Sequence, residues 1–482
     1  MAKKYWWLKD GLIYGLSATL SKFTGIFLAP IYTRFLTTAQ FGLLDLATSF
    51  SAVLLVVAEM QMVSGFMRNY IEAKEKKSVA SLTGSVMVFY FVSTSLIAGI
   101  VWVGRGLIQK YVPEFDFIIL LPILIGLLPA QITSFYLVFL RMERRPRQYL
   151  FISAGQIALA AVLGIIFVVP FHLGTLGALY GFAGARVVFG LISFGMIIKN
   201  VGIRLNVDHV KEMLHFGAPL VPARVSSWAR TYINRFFIVS MLSMSMLGIF
   251  SIANKIAGIS LLLIMSIRLV WQPFENEQYT KSGSEERFAR VLNIFIFAIL
   301  AFQVLLTIGS PVVLRLLAPP AYWSAEPFIA LLSMGILWDG AVMFFSVGNN
   351  WARKTYHNSF GASIASFFNI VLLFFGTAKL GLPLVALSAF LSVLIKCLLI
   401  LRTSQKNHYI PYSTRMIAFG MGLSGMYSVL PYCALTFFKL SVPASIVFYA
   451  ISGMMALLVM WAFVLVKEDK QWFLSMLKVR TV

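Results

Sequence analysis

Apolar runs long enough to cross a bilayer, split by short polar intervals, recur along the chain. They fall at roughly 11–36, 41–66, 81–104, 117–140, 149–170, 175–198 and 212–241, then at 246–270, 291–313, 326–349, 356–378, 382–401, 416–437 and 442–466. A helix needs about 20 residues to span the hydrocarbon core. Inside lipid every backbone polar group must be satisfied within the segment, which selects helices over isolated strands. The pattern therefore predicts an all-α polytopic membrane protein with about 14 transmembrane helices. The polar intervals are too short to hold a soluble domain.

Composition supports this. The 482 residues are 59% hydrophobic and 12% charged, against about 25% charged in soluble domains. The opening MAKKYWWLKDGL leads into a run too long for a signal peptide and without a small-residue cleavage site, so it is expected to stay as the first span. Cys397 and Cys433 lie in apolar runs with no ligand spacing around them, so neither a disulfide nor a metal site is expected. A net charge of +22 raises the question of nucleic acid, but its distribution answers it. Basic residues crowd every second interval, as in Arg68/Lys74/Lys76/Lys77, Arg141/Arg144/Arg145/Arg147 and Lys199/Arg204/Lys211. The other side holds about five, Arg105, Lys110, Arg315, Lys379 and Lys439, as the positive-inside rule requires. The expected placement is multi-pass in a membrane, with both termini cytoplasmic and no nucleic-acid partner.

The chain also echoes itself. Thr33-Arg34-Phe35-Leu36 with Phe41-Gly42 corresponds to Asn234-Arg235-Phe236-Phe237 with Leu247-Gly248; Arg145-Pro146-Arg147 corresponds to Ala352-Arg353-Lys354; Leu173-Gly174 corresponds to Leu380-Gly381. The shared offset predicts a six-helix lobe over 1–200, a second over 201–405, and two additional helices with a basic tail over 406–482. Six is even, so the lobes share an orientation and are expected to be related by a pseudo-two-fold axis along the membrane normal. Repeats of this kind place a substrate site between lobes.

The charges inside the spans carry the chemistry. A guanidinium at bilayer depth costs about 2.5–3.5 kcal/mol on insertion scales, so it faces protein or water and marks a functional site by default. In the seventh span Arg224, Trp228, Thr231 and Arg235 fall on one stripe at about 100° per residue, with Arg230 a third of a turn away. Lys22 and Lys255 add cations in neighbouring spans, whereas Arg34, Arg268 and Lys396 lie close enough to span ends to snorkel. Positive charge, an indole and a hydroxyl on one surface suit an anionic, sugar-bearing ligand. The acids at depth are Asp45, Glu59 and Asp339, and two roles stay open for them: ion coupling (protons or sodium) or pairing with an inward arginine. Asp339 is the most isolated and the first choice for coupling. Pro30, Pro219 and Pro222 occupy corresponding spans, and because proline removes a helix hydrogen bond they are hinge candidates. Gln303 and Asn369 offer hydrogen bonds either to sugars or between helices.

Gly15 through Gly25, Pro30-Ile-Tyr-Thr-Arg34-Phe-Leu36, Phe41-Gly42-Leu43, Phe216-Gly217-Ala-Pro219-Leu-Val-Pro222 with Trp228 and Arg235, Gln272-Pro273-Phe274 and Leu380-Gly381-Leu-Pro383 occur in the order seen in a known family. The chain resembles the polysaccharide exporters, or lipid-linked oligosaccharide (O-antigen, Wzx-type) flippases, of the multidrug/oligosaccharidyl-lipid/polysaccharide superfamily. The resemblance implies a flippase, not an enzyme, that moves undecaprenyl-pyrophosphate-linked oligosaccharide from the cytoplasmic to the outer leaflet by alternating access. It implies no cofactor beyond a coupling H+ or Na+, and partners in the lipid bilayer and in other polysaccharide assembly proteins. Lys22, Arg34, Arg224, Arg230, Arg235 and Lys255 are then expected to line a cationic central cavity for the pyrophosphate, with Trp228 stacking on sugar. Where the family often has an acid before the arginine of the seventh span, this chain has Asn234, leaving Arg235 without a neighbouring partner. A drug/cation antiporter of the same superfamily would favour acids in its cavity. A membrane polymerase or ligase would need a large outer loop or a catalytic acidic motif, and the sequence has neither.

Overall fold

The computed structural model describes residues 25–464 apart from Thr280 and Ser282, and these residues are helical with short connections. The first unit contains α1 (Ala29–Phe35), α2 (Thr38–Glu59), α3 (Met62–Glu75), α4 (Val79–Val103), α5 (Arg105–Tyr111), α6 (Phe117–Met142), α7 (Pro146–Val168), α8 (Gly174–Asn200), α9 (Val207–Gly217) and α10 (Val221–Met241). After α11 (Met244–Ala257) come α12 (Ser260–Gln278), α13 (Ser284–Leu317), α14 (Glu326–Phe345), α15 (Val347–Trp351), α16 (Tyr356–Asn407), α17 (Thr414–Thr436) and α18 (Val442–Val459).

Local signals start these helices where the apolar runs begin. Thr37 and Gln40 form a reciprocal capping box on α2: the Thr37 hydroxyl accepts from the Gln40 N–H at 3.2 Å, and Gln40 Oε1 accepts from the Thr37 N–H at 3.1 Å. Two of the first turn's orphan donors are thereby satisfied. Asp116, Asn206 and Ser413 cap α6, α9 and α17 one-sidedly, each side chain accepting from a first-turn N–H.

Among the described residues, eleven helical stretches are long and apolar enough to cross a membrane. The expected fourteen runs differ from these for three reasons. Most of the first run lies outside the described residues. The seventh run carries three arginines along α10, which lowers its apolar character. The runs at 356–378 and 382–401 are joined in α16, whose helix breaks at Gly381 with φ 64 and ψ −149. Only glycine adopts that conformation without strain.

The chain divides into two compact units, Met1–Gly248 and Ile249–Val482. The sequence assigns residues 201–241 to the second lobe, but α9 packs against α3 and α4 and α10 packs against α2, within the first unit. That unit's core is built by Phe66, Tyr70, Phe135 and Met213, with the Phe66 and Phe135 rings 4.8 Å apart. The second unit centres on Trp271, Phe288, Trp338 and Phe344, where the rings of Trp271 and Phe344 approach to 4.2 Å. Beside this core, Gln303 is fully buried. Its amide donates to the Ser424 carbonyl at 3.1 Å and accepts from the Ser424 hydroxyl at 2.9 Å. Trp338 Nε1 donates to the same hydroxyl at 3.1 Å. Gln303 thus joins α13 to α17, the helix-bonding alternative rather than the sugar-binding one.

Candidate functional site

The stripe on α10 lies against α2, and the two helices run antiparallel. Arg235 Nε donates to Asp45 Oδ2 at 2.8 Å, and its Nη1 donates to the Thr231 carbonyl at 2.6 Å. The Asp45 and Arg235 side chains are only 15% and 6% exposed. The guanidinium also sits over the Tyr232 ring, 4.9 Å from its centre. One turn along α2 from Asp45, the Ser49 carbonyl accepts from Trp228 Nε1 at 3.2 Å, and Trp228 stacks on Tyr232 at 6.2 Å. Farther on, half-buried Glu59 feels the charge of Arg224, and no carboxylate lies within ion-pair distance of Arg224 among the described residues. Asp45 and Glu59 thus face α10 in the order that matches Arg235 and Arg224, so Asn234 does not leave Arg235 unpartnered. The acid comes from another helix.

Other expected residues fall as follows. Lys22 lies outside the described residues. Arg34 is exposed in the last turn of α1, and Arg224 is exposed as well. Arg230 is half-buried and donates to the Ser227 hydroxyl of its own helix at 3.4 Å. Among the described residues, none of Arg34, Arg224 and Arg230 enters an ion pair. Lys255 is half-buried in the second unit. The prolines mark breaks: Pro30 follows a bend at Leu28, Pro219 lies within the 3-10 turn, Ala218–Leu220, that separates α9 from α10, and Pro222 stands in the first turn of α10. Proline is tolerated in a first helical turn because its missing N–H would be unpaired there anyway.

The second unit holds a different charged site. Lys396 Nζ donates to Asp339 Oδ1 at 2.6 Å, joining α16 to α14. Lys396 is buried, so it does not snorkel, and Asp339 is not isolated. The pair borders a cavity of about 260 Å³ that Arg268, Trp271 and Glu275 also line. Glu275 Oε1 accepts from Asn350 Nδ2 at 3.1 Å. Cations and carboxylates are mixed here, and Asp339 keeps 47% of its side chain exposed.

The sequence of this chain matches the model of a family described as "Polysaccharide biosynthesis protein" over residues 7–274. The chain belongs to that family. No curated protein matches it by sequence. The family member's fold is shared with solved structures: a lipid II flippase, MurJ, in an inward closed conformation aligns with TM-score 0.72 at 16% identity, covering 94% of this chain and 98% of that one. An inward-facing multidrug resistance MATE family transporter of the MOP superfamily aligns with TM-score 0.60 at 15% identity, over 82% of this chain and 95% of that one. A Vibrio cholerae MATE transporter, VcmN, gives TM-score 0.56 at 15% identity, over 83% and 96%. The expected relation to polysaccharide biosynthesis proteins and the expected all-helical fold are thus found.

Three residues of the polysaccharide biosynthesis protein's sites escaped the sequence reading. Tyr232 lies between Trp228 and Arg235 in sequence and touches both; its spacing, four after one and three before the other, was the available signal. Glu275 and Lys396 sit near span ends, where charge is usually solvated, and nothing local shows that both border one cavity.

Proposed function

We propose that this polysaccharide biosynthesis protein is a flippase that carries polyprenyl-pyrophosphate-linked oligosaccharide from the cytoplasmic to the outer leaflet of the bacterial inner membrane by alternating access. The observation that carries this reading is the excess of cationic groups in the first unit of a chain from this family. Arg34 stands on α1 and Arg224, Arg230 and Arg235 on α10, against Asp45 and Glu59 on α2. A diphosphate cannot enter hydrocarbon bare, and fixed cations replace part of its lost hydration. Arg224 and Arg230 receive the diphosphate, Arg34 and Lys22 add to the field, and Trp228 with Tyr232 offers the aromatic surface for sugar. Arg235 contributes less, because Asp45 already shares its charge. The likeness of fold to a lipid II flippase supports the same reading. Lys255 is a further candidate for the headgroup, and the breaks at Pro30 and Pro219/Pro222 are candidate hinges.

Asp339 is the proposed coupling group: half-exposed to a cavity and held by one lysine, it exchanges that partner for a proton or sodium ion. The acids of this cavity are also what a drug/cation antiporter would use, and a drug-efflux assay separates the two. The test of the main reading is loss of the gene. A lipid-linked oligosaccharide accumulates on the cytoplasmic face, and the wild-type chain restores its export. Drug sensitivity without lipid-linked accumulation would refute it.

A further inference from the structure

Arg186 belongs to neither site. It projects from α8 into a cavity of about 140 Å³ within the first unit, walled by Pro122, Ile123, Leu179 and Phe182, with Ser51 and Thr48 of α2 on one side. Space for the guanidinium comes from Gly126 on α6: a Cβ there would lie 3.2 Å from Arg186 Cδ and 3.4 Å from Nη1. Among the described residues no carboxylate pairs with Arg186. Its one hydrogen bond is from Nη1 to the Ser51 hydroxyl, at 3.1 Å. A guanidinium has five N–H donors and no acceptor, so most of its donors remain available. The Ser51 oxygen accepts from Arg186, which leaves its own O–H to donate. Thr48 already donates to the Asp45 carbonyl at 3.0 Å. The cavity thus presents one fixed positive charge and one hydroxyl donor against apolar walls.

We propose that this cavity is a binding site for a monovalent, weakly hydrated anion, a halide, that acts as the counterion of Arg186. One charge calls for one charge. A phosphate would carry more negative charge and several oxygens that need donors, and most would meet Pro122, Ile123 or Leu179 unpaired, which burial penalises. At about 30 Å³ per water, the volume admits a halide with a little water and excludes a glycan. The site is independent of the diphosphate surface on α10.

The test uses the purified full-length protein. Thermal unfolding is followed as sodium gluconate is replaced by sodium bromide at constant ionic strength, and crystals grown in bromide are measured for anomalous scattering. Bromide is expected to raise Tm saturably and to give an anomalous peak beside the Arg186 guanidinium. Ser51→Ala, which removes one hydrogen bond, should raise the half-saturating bromide concentration roughly fivefold, and Arg186→Gln should abolish the saturable response. If Arg186→Gln does not fold, the wild-type peak and the Ser51→Ala shift decide. The proposal falls if no peak appears at Arg186, if Arg186→Gln keeps the full response, or if inorganic phosphate rather than bromide gives the saturable effect.

Discussion

Asp45–Arg235 in the first unit and Asp339–Lys396 in the second each tie one helix to another, and they differ in access to water. Asp45–Arg235 is sealed, with both side chains nearly buried. Asp339–Lys396 is buried on the lysine side and half-exposed on the aspartate side, where it meets a cavity. A sealed pair holds helices, because removing one charge leaves the other desolvated. An open pair is free to exchange partners. The same chemistry therefore supports packing in one place and, in the proposed coupling, an exchange of partners in the other, with accessibility as the difference.

The largest expected effect tests the sealed pair. Asp45→Asn or Arg235→Gln should each lower stability by about 3–5 kcal/mol, the usual cost of orphaning a buried charge. The double substitution should recover much of the loss, read as the temperature at which purified protein ceases to elute as a single species. Singles as stable as wild type would mean that water reaches this pair too.

Next come the cations that no carboxylate has claimed. Arg224→Gln with Arg230→Gln should cut glycan export in complemented cells at least tenfold, about 1.4 kcal/mol on the rate-limiting barrier. Protein level should stay unchanged, because neither side chain holds a helix to its neighbour. Misfolding of this variant would instead place both residues with Arg235.

Smaller still is the effect at the open pair. Asp339→Asn should cost less than Asp45→Asn, because the Lys396 it strands, though buried, borders a cavity that also opens to the aspartate. It should flatten the dependence of transport on pH or sodium, measured across matched gradients. A stability loss equal to that of Asp45→Asn would erase the contrast between the pairs.

The smallest lies outside the spans. Glu143, which follows α6, accepts from Lys74 Nζ at 2.7 Å and from the Tyr70 hydroxyl. The Lys74 hydrogen bond, then that of Tyr70, holds its carboxyl below the ordinary carboxylate range. A depressed folded pKa gives stability that is present above the unfolded value and lost as pH falls through the folded one. Glu143→Gln should therefore cost about 0.5–1 kcal/mol at neutral pH, and the gap from wild type should close below about pH 4. Thermal unfolding of both proteins at the two pH values checks this.

The helices were readable from sequence because a membrane helix is specified locally: an apolar run of fixed length, a cap such as Thr37 with Gln40, a breaker such as Gly381. The partners were not. Asp45 and Arg235 lie 190 residues apart and Asp339 and Lys396 57 apart, and no local pattern registers such pairings. Lys396 was read as snorkelling because its distance from a span end is visible in sequence while the carboxylate beside it is not. Arg224 and Arg235 share a helical stripe, as periodicity says. The acids of α2 that meet that stripe give its two arginines different surroundings.

The most direct test is translocation by purified protein in proteoliposomes loaded with a labelled polyprenyl-pyrophosphate oligosaccharide, scored by accessibility of the glycan from outside. The wild-type chain should move this lipid, should fail to move an analogue in which the diphosphate is replaced by a neutral linker, and should lose most of its rate on Arg224→Gln/Arg230→Gln. Equal rates for the neutral analogue and for the double variant would contradict a cationic surface that carries the lipid by its diphosphate.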